Sequence, residues 1–367
     1  MGSNCSCLRS QTTEERCDEM PFDMNMNQKL LLFKDNDDIL GYNPKVNNSD
    51  IIKLQSVLRG YIARKHCQNI NHSTIPLIKN QNQNPSTENF RTSLQEISQN
   101  QVPDYSTPLS RNAEKHLGKF DYPILSSAGL VKKGYIELEN GVIYLGEWNN
   151  NLQREGRGIQ YWPDGSKYEG IWGNDKANGK GRLIHADGDV YEGNWKDDKA
   201  EGYGIYMHSN GARYLGDWAE DKQHGYGTES WPDGSRYEGQ YKNGSKEGKG
   251  KFIWSDGSRF EGDFHFNNIH GYGVYEWNDG RKYAGDWKNN KMDGRGEFTW
   301  SDGRKYIGEY LNDKKHGFGV FEWPDGRKYE GEWANGKQHG KGFYYTTVNG
   351  KVEGEWKDGK RIKINFS

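Results

Sequence analysis

Tyr191-Glu192-Gly193-Asn194-Trp195, followed by Gly202-Tyr203-Gly204 and Asn210-Gly211, is the stretch on which the fold turns. The same pattern starts again at Tyr214 and continues through most of the chain. Its first position is occupied by Tyr144, Tyr168, Tyr191, Tyr214, Tyr237, Phe260, Tyr283, Tyr306 and Tyr329. The first step is 24 residues and each later one 23, and Val352 opens a truncated last copy, Val352-Glu353-Gly354-Glu355-Trp356. A period in this range is the mark of a repeat architecture, and it outranks any short motif inside it.

Each unit contains two short runs with period-2 alternation, the pattern of two strands. Tyr191, Gly193 and Trp195 share one face of the first strand, and Gly250, Phe252 and Trp254 share one face of a later second strand. The connection Trp231-Pro232-Asp233-Gly234-Ser235 fits a type I turn closed by a left-handed glycine. A three-residue loop keeps the flanking Trp and Tyr on one side. A two-residue Asp-Gly hairpin would separate them, so the longer loop is expected. The residue before the repeat tyrosine is mostly basic (Lys167, Arg213, Arg236) and the one after it often acidic (Glu169, Glu192, Glu238). The second face is therefore expected to be a solvated face of charge columns. The aromatic–glycine face is expected to be a groove for an extended or helical segment, with the glycines leaving room for a partner backbone. Its lining would be Tyr168, Trp172, Tyr191, Trp195, Tyr214, Trp218, Tyr237, Tyr241, Phe252, Trp254, Tyr283, Trp287, Tyr306, Tyr329 and Trp333.

The motif Tyr-Glu-Gly-x-Trp … His-Gly-x-Gly … Asp-Gly-x-x-Tyr resembles the MORN (membrane occupation and recognition nexus) repeat family over about nine copies, two thirds of the chain. Departures are local: Asn210 replaces the turn aspartate, and Tyr241, Phe264 and Tyr310 replace the tryptophan. The resemblance implies an all-β, elongated single-layer antiparallel sheet of hairpins, and a scaffolding role for a protein partner held in the groove, often near membranes. Similar arrays in plant phosphatidylinositol-phosphate kinases keep a second function in view: a phosphoinositide-binding module, or a regulatory subunit of such a kinase.

The composition suits a thin sheet. Hydrophobic residues are 32% of the 367, and mean hydropathy is −1.10, too lean for a thick core. The formal charge is −2 and neither half of the chain is polybasic, which argues against nucleic acid. No apolar run reaches the length of a membrane span. All four cysteines, Cys5, Cys7, Cys17 and Cys67, precede the array, and a reducing compartment is expected.

Three parts are expected: an acylated tail (1–20), a flexible region (21–130) and the array (131–367). The start, Met1-Gly2-Ser3-Asn4-Cys5-Ser6-Cys7, fits N-myristoylation at Gly2 with palmitoylation at Cys5 and Cys7. One acyl chain holds a membrane only marginally, and no basic cluster stands nearby, so the cysteines supply the second anchor. The cytoplasmic face of a membrane, with a cytosolic pool, follows as the expected location. Within 50–67, Ile51, Leu54, Leu58, Tyr61 and Ile62 form one apolar helical face beside Lys53, Arg59, Arg64 and Lys65. Such a helix fits an acidic groove or packs on its own array. Leu54, Gln55, Leu58, Arg59, Gly60, Ile62 and Arg64 resemble the IQ motif, which implies calmodulin or a related EF-hand light chain as partner. A second short helix is expected over 87–99, with Thr87 as cap and Phe90, Leu94 and Ile97 on one face. Gly134–Gly141 resembles the second half of a repeat, so the array is expected to open on a half unit.

No phosphate-binding Gly-Lys-Ser/Thr, Gly-x-Ser-x-Gly or His-Glu-x-x-His occurs. His224, His270, His316 and His339 share one repeat slot, too far apart to hold one zinc. No cofactor, metal or catalytic residue is assigned, and the chain reads as non-enzymatic.

Overall fold

The computed structural model describes residues 96–347 and 350–365. The expected lipidation sites Gly2, Cys5 and Cys7 and the IQ-like segment lie outside the described residues. The architecture is all-β and antiparallel, as the period implies, with 22 strands and one α-helix among the described residues. These residues divide into two compact units, 96–257 with 264–267 and 258–263 with 268–365. Within each unit every strand pairs with its chain neighbour.

The hairpin 167–184 shows how a repeat is made. Gly173 pairs with Lys176 around Asn174 and Asp175, whose φ values of 51° and 66° make a two-residue type I′ turn. The next connection is the three-residue type expected. In the same loop one repeat earlier, Gly165 N–H donates to Trp162 O at 3.0 Å, and Trp162 N–H to Ser166 O at 3.0 Å. Gly165, with φ +100°, supplies the left-handed corner. Trp162 and Tyr168 are accordingly both buried on one face.

Two features of the hairpin were not anticipated. The second turn residue clamps the preceding repeat. Asp198 N–H donates to Ala177 O at 3.0 Å, and Asp198 Oδ1 accepts from Ala177 N–H at 2.7 Å. The same side-chain bond joins Asp221 to Ala200, Asn267 to Lys246, Asn290 to Ile269 and Asp313 to Met292. Second, each return strand carries a bulge at its Gly-x-Gly. Between 214–219 and 222–229 the register breaks between His224 and Gly227, with Gly225 at φ +59°. The freed N–H of the middle residue is taken by a side chain: Tyr226 N–H donates to Asp217 Oδ2, and Lys249 N–H to Gln240 Oε1. The middle residues Tyr203, Tyr226, Tyr272 and Phe318 lie on the outer face by plain alternation with the inward glycines, each more than half exposed.

At the N-terminal edge, β1 (Glu96–Ile97) pairs with β2 (Val131–Glu137), and β2 pairs with the strand Ile143–Trp148. β2 thus stands as the second half of a repeat, with Ile136 fully buried in the core. Ile97, expected to close a helix over 87–99, is in a strand instead. The helix of this region is α1 (Pro108–Leu117), capped by Thr107, whose hydroxyl accepts from Ser110 N–H.

Residues 98–130, expected within a flexible region, form a strap on the sheet. Tyr105 Oη donates to Gly141 O at 2.8 Å, and Thr107 Oγ1 bonds Ala186 O. Past α1, Gly118 O accepts from Arg182 at 2.8 Å, and the buried Phe120 ring lies 5.4 Å from the same guanidinium. Pro123 O then accepts from Arg157, and Ser127 bonds Glu147. The strap covers the charge-column face of the first repeats. That face is therefore not solvated there: Arg182 is 6% exposed and salt-bridged to Glu192 at 2.7 Å.

Candidate functional site

The inner face is built from tyrosine laid on glycine. Gly239 and Gly250 face each other across neighbouring strands, and Tyr237 lies over both. A methyl placed on Gly250 would sit 2.4 Å from Tyr237 Oη and 2.6 Å from Cε2. Tyr168 covers Gly170 and Gly181, Tyr191 covers Gly193 and Gly204, and Tyr329 covers Gly331 and Gly342 in the same way. The space between rings, read from sequence as room for a partner backbone, is thus filled by the repeat's own tyrosine.

The rings then lock edge to face along the array. Tyr168 meets Trp172 at 5.1 Å and Trp195 at 5.3 Å, both near perpendicular. Tyr283 meets Trp287 and Tyr310, and Tyr306 meets Tyr310 and Trp333 at similar distances. Each such pair contributes about 0.5–1.5 kcal/mol beyond its buried area. Many polar tips are satisfied inside the face, although the buried Trp148 and Trp162 Nε1 groups have no partner among the described residues. Tyr237 Oη donates to Gln240 O at 3.1 Å, and Trp195 Nε1 to Gly181 O at 3.1 Å. Burial holds these phenols well above their ordinary range, so they stay neutral donors.

Of the expected groove residues, Tyr168, Trp172, Tyr191, Trp195, Tyr214, Tyr237, Tyr241, Phe252, Trp254, Tyr283, Trp287, Tyr306, Tyr329 and Trp333 are buried, and Trp218 is half-buried. Within each unit they come together as an aromatic packing, and little of their apolar surface is left free. Polar clusters punctuate the face in the N-terminal unit, among them Arg154, which bonds Gln160 and Asp175. Asp189, fully buried, accepts from Tyr206 Oη at 2.9 Å and Ser209 N–H at 2.9 Å, with His208 Nδ1 at 3.0 Å. Lys246 is held by Glu229 at 2.7 Å, which also accepts from Tyr241 Oη at 3.1 Å.

The outer face carries the apolar surface that sequence reasoning missed. In the N-terminal unit Tyr203, Leu215 and Tyr226 are 57%, 41% and 54% exposed. Leu215 lies opposite Ile205 on one side and Thr228 on the other, and Tyr203 opposite Asp217. The C-terminal unit shows Tyr272, Ile307 and Phe318 similarly exposed. The signal lay in the middle residue of Gly-x-Gly, which is aromatic in some repeats and basic in others. Among the described residues no His, Cys, Asp and Glu group has the geometry of a metal site, and no helix is long and apolar enough to cross a membrane.

Comparison with known proteins finds no match among curated sequences. Among solved structures, the chain is similar to the wild-type TCP10 domain of Danio rerio CPAP, at 13% identity and a TM-score of 0.24, covering 64% of this chain and 99% of that one. It is also similar to the TCP10c domain of Drosophila melanogaster Sas-4, at 13% identity and a TM-score of 0.23, covering 49% and 100%. The IQ calmodulin-binding motif matches residues 49–68. The MORN repeat matches ten consecutive segments from 144–167 to 353–361. With the aromatic–glycine packing recurring through those segments, the chain belongs to the MORN repeat family.

Proposed function

We propose that the protein is a non-catalytic, membrane-attached scaffold that presents its repeat array to a protein partner under calmodulin control. The observation that carries this reading is the joining, in one chain, of an IQ motif at 49–68 to a MORN array spanning 144–361. Both are binding modules. The array's polar and aromatic groups are largely consumed in holding the hairpins together, which suits a rigid platform better than a reaction centre. Leu54, Leu58 and Ile62 supply the apolar contacts to calmodulin or an EF-hand light chain, and Gln55, Arg59 and Arg64 the polar ones, around Gly60. Isothermal titration of calmodulin into the full chain, with and without calcium, tests this. Replacing Leu54, Leu58 and Ile62 by Ala should weaken binding more than tenfold; unchanged affinity removes the assignment.

Attachment to the membrane rests on Gly2, Cys5 and Cys7. Gly2→Ala is expected to shift the protein from the membrane fraction to the cytosol, and unaltered fractionation would exclude an acyl anchor. A lipid-binding array is the second reading, favoured by the exposed Lys351, Lys357, Lys360, Arg361 and Lys363 on the last two strands. Binding of the Gly2→Ala protein to vesicles containing phosphoinositide would support that reading.

A further inference from the structure

The outer face of the N-terminal unit already holds one segment of its own chain, and the surface beside that segment is apolar and, among the described residues, uncovered. The strap reaches as far as Arg182, where Gly118 O and the Phe120 ring are seated. Arg182 lies opposite Glu192, and Glu192 opposite Ile205. From Ile205 the face continues through Leu215 and Thr228, with Tyr203 and Tyr226 exposed beside them. This strip is contiguous with the strap's interface and has the same two ingredients, apolar side chains and flanking charge. Asp217 stands within it, and Glu192 and Glu238 border it.

We infer that residues 49–68 dock on this strip when calmodulin does not hold them. Three observations select that occupant. Its sequence pairs an apolar face (Leu54, Leu58, Ile62) with Lys53, Arg59, Arg64 and Lys65, which complements the apolar strip and the Asp217 carboxylate, Glu192 and Glu238 being ion-paired with Arg182 and Arg236. The chain is placed to deliver it: the described residues begin at Glu96, which is fixed to the sheet edge through β2. The 27 residues 69–95 that connect the two have a root-mean-square reach of about 30 Å and a limit near 90 Å. The strip lies seven to nine strands from β1, or about 35–45 Å. A tether of matching length gives a high effective concentration, so a weak contact suffices to populate the docked state. Docking and calmodulin would then compete for the same apolar side chains. Calmodulin would release the strip to an outside partner, and its own apparent affinity would be lowered by the docked fraction. Only this last step rests on the calmodulin assignment above; the docking does not.

The test uses the native Cys67 at the end of the segment. In the full chain with Cys5, Cys7 and Cys17 changed to Ser, a Thr228→Cys substitution places a second thiol in the strip. Mild oxidation with diamide should trap an intramolecular disulfide between Cys67 and the thiol introduced at position 228, read by mass spectrometry. Its yield should exceed tenfold that of the same protein with Asn151→Cys in place of Thr228→Cys. Adding Leu215→Asp with Tyr226→Ser should abolish the excess; both side chains are exposed, and the circular dichroism melt is expected to be unchanged. Equal trapping at the two positions, or trapping that survives the double substitution, overturns the proposal and leaves the strip to an external partner. Titration with calmodulin supplies the second arm. The Leu215→Asp/Tyr226→Ser protein should bind at least about fivefold tighter than wild type, and equal affinity also counts against docking. If neither protein binds calmodulin while the disulfide still forms, docking stands and the IQ assignment falls.

Discussion

At Gly250 and Gly234 the same residue is required for opposite reasons. Gly250 has an ordinary backbone conformation but no room, because the Tyr237 ring occupies the space a methyl would need. Gly234 has room, with no atom within 4 Å, but sits at φ +90°. Gly250→Ala is therefore expected to cost about 1–3 kcal/mol by forcing the ring off its seat, and Gly234→Ala about 1–2 kcal/mol from backbone strain alone. Urea unfolding measures both. Only Gly250→Ala should also change the near-ultraviolet circular dichroism of the buried tyrosines. The 23-residue recurrence of Tyr, Gly and Trp is plain in the sequence. What the glycines are for is not, since an absent side chain leaves open whether the space belongs to a partner or to the neighbouring ring. Val352 makes the point in reverse: in the last copy no tyrosine is available, and the Trp356 ring approaches Gly354 instead.

The hairpin is held to its predecessor by the second residue of its type I′ turn, and the choice between Asp and Asn there has a measurable effect. Asp313 accepts from Met292 N–H at 2.7 Å, but burial pushes its carboxyl up to about 6. Its folded-state value lies above the unfolded one of 3.8. The native state thus binds the extra proton between those values, and stability declines as pH rises from about 4 to 6. Asn267 and Asn290 make the same bond without a charge. Asp313→Asn is therefore expected to stabilise the protein at pH 7 by up to about 3 kcal/mol, with the gain vanishing near pH 4. Urea titrations at the two pH values check it. These turns escaped the sequence reading because their residues are mixed: Asn-Asp, Glu-Asp and Phe-Asn as well as the familiar Asn-Gly. α1 escaped for a related reason. Pro108–Leu117 carries a proline start and a threonine cap but only a thin apolar stripe, so the expected helix was placed on the stronger spacing of Phe90, Leu94 and Ile97. The bulges were hidden because Gly-x-Gly reads equally well as regular alternation.

Across the molecule, stability accumulates between nearest neighbours, as in other repeat arrays. Removing residues 306–328 joins Lys305 to Tyr329 and restores the ordinary repeat junction. That deletion is expected to leave one cooperative melt within about 5 °C of the parent and unchanged calmodulin affinity, by calorimetry and titration; loss of the folded state would refute the additive picture. The ring seated on paired glycines has a further consequence, for alignment. Sliding one strand past the next by two residues preserves which side chains face inward, so hydrophobicity alone tolerates it. The slide would drive Phe252 beneath the Tyr237 ring where Gly250 belongs, and so it is blocked. Sliding by a whole repeat is not blocked, because every copy offers the same tyrosine and glycines. Only the exceptions can tell one copy from another. Asp189 reaches Tyr206, His208 and Ser209 of the following hairpin, a position where the next repeat offers Ala212. Glu229 and Lys246 form a second pair that no other repeat duplicates. These buried polar groups act as addresses, telling each hairpin which of its near-identical siblings is its neighbour.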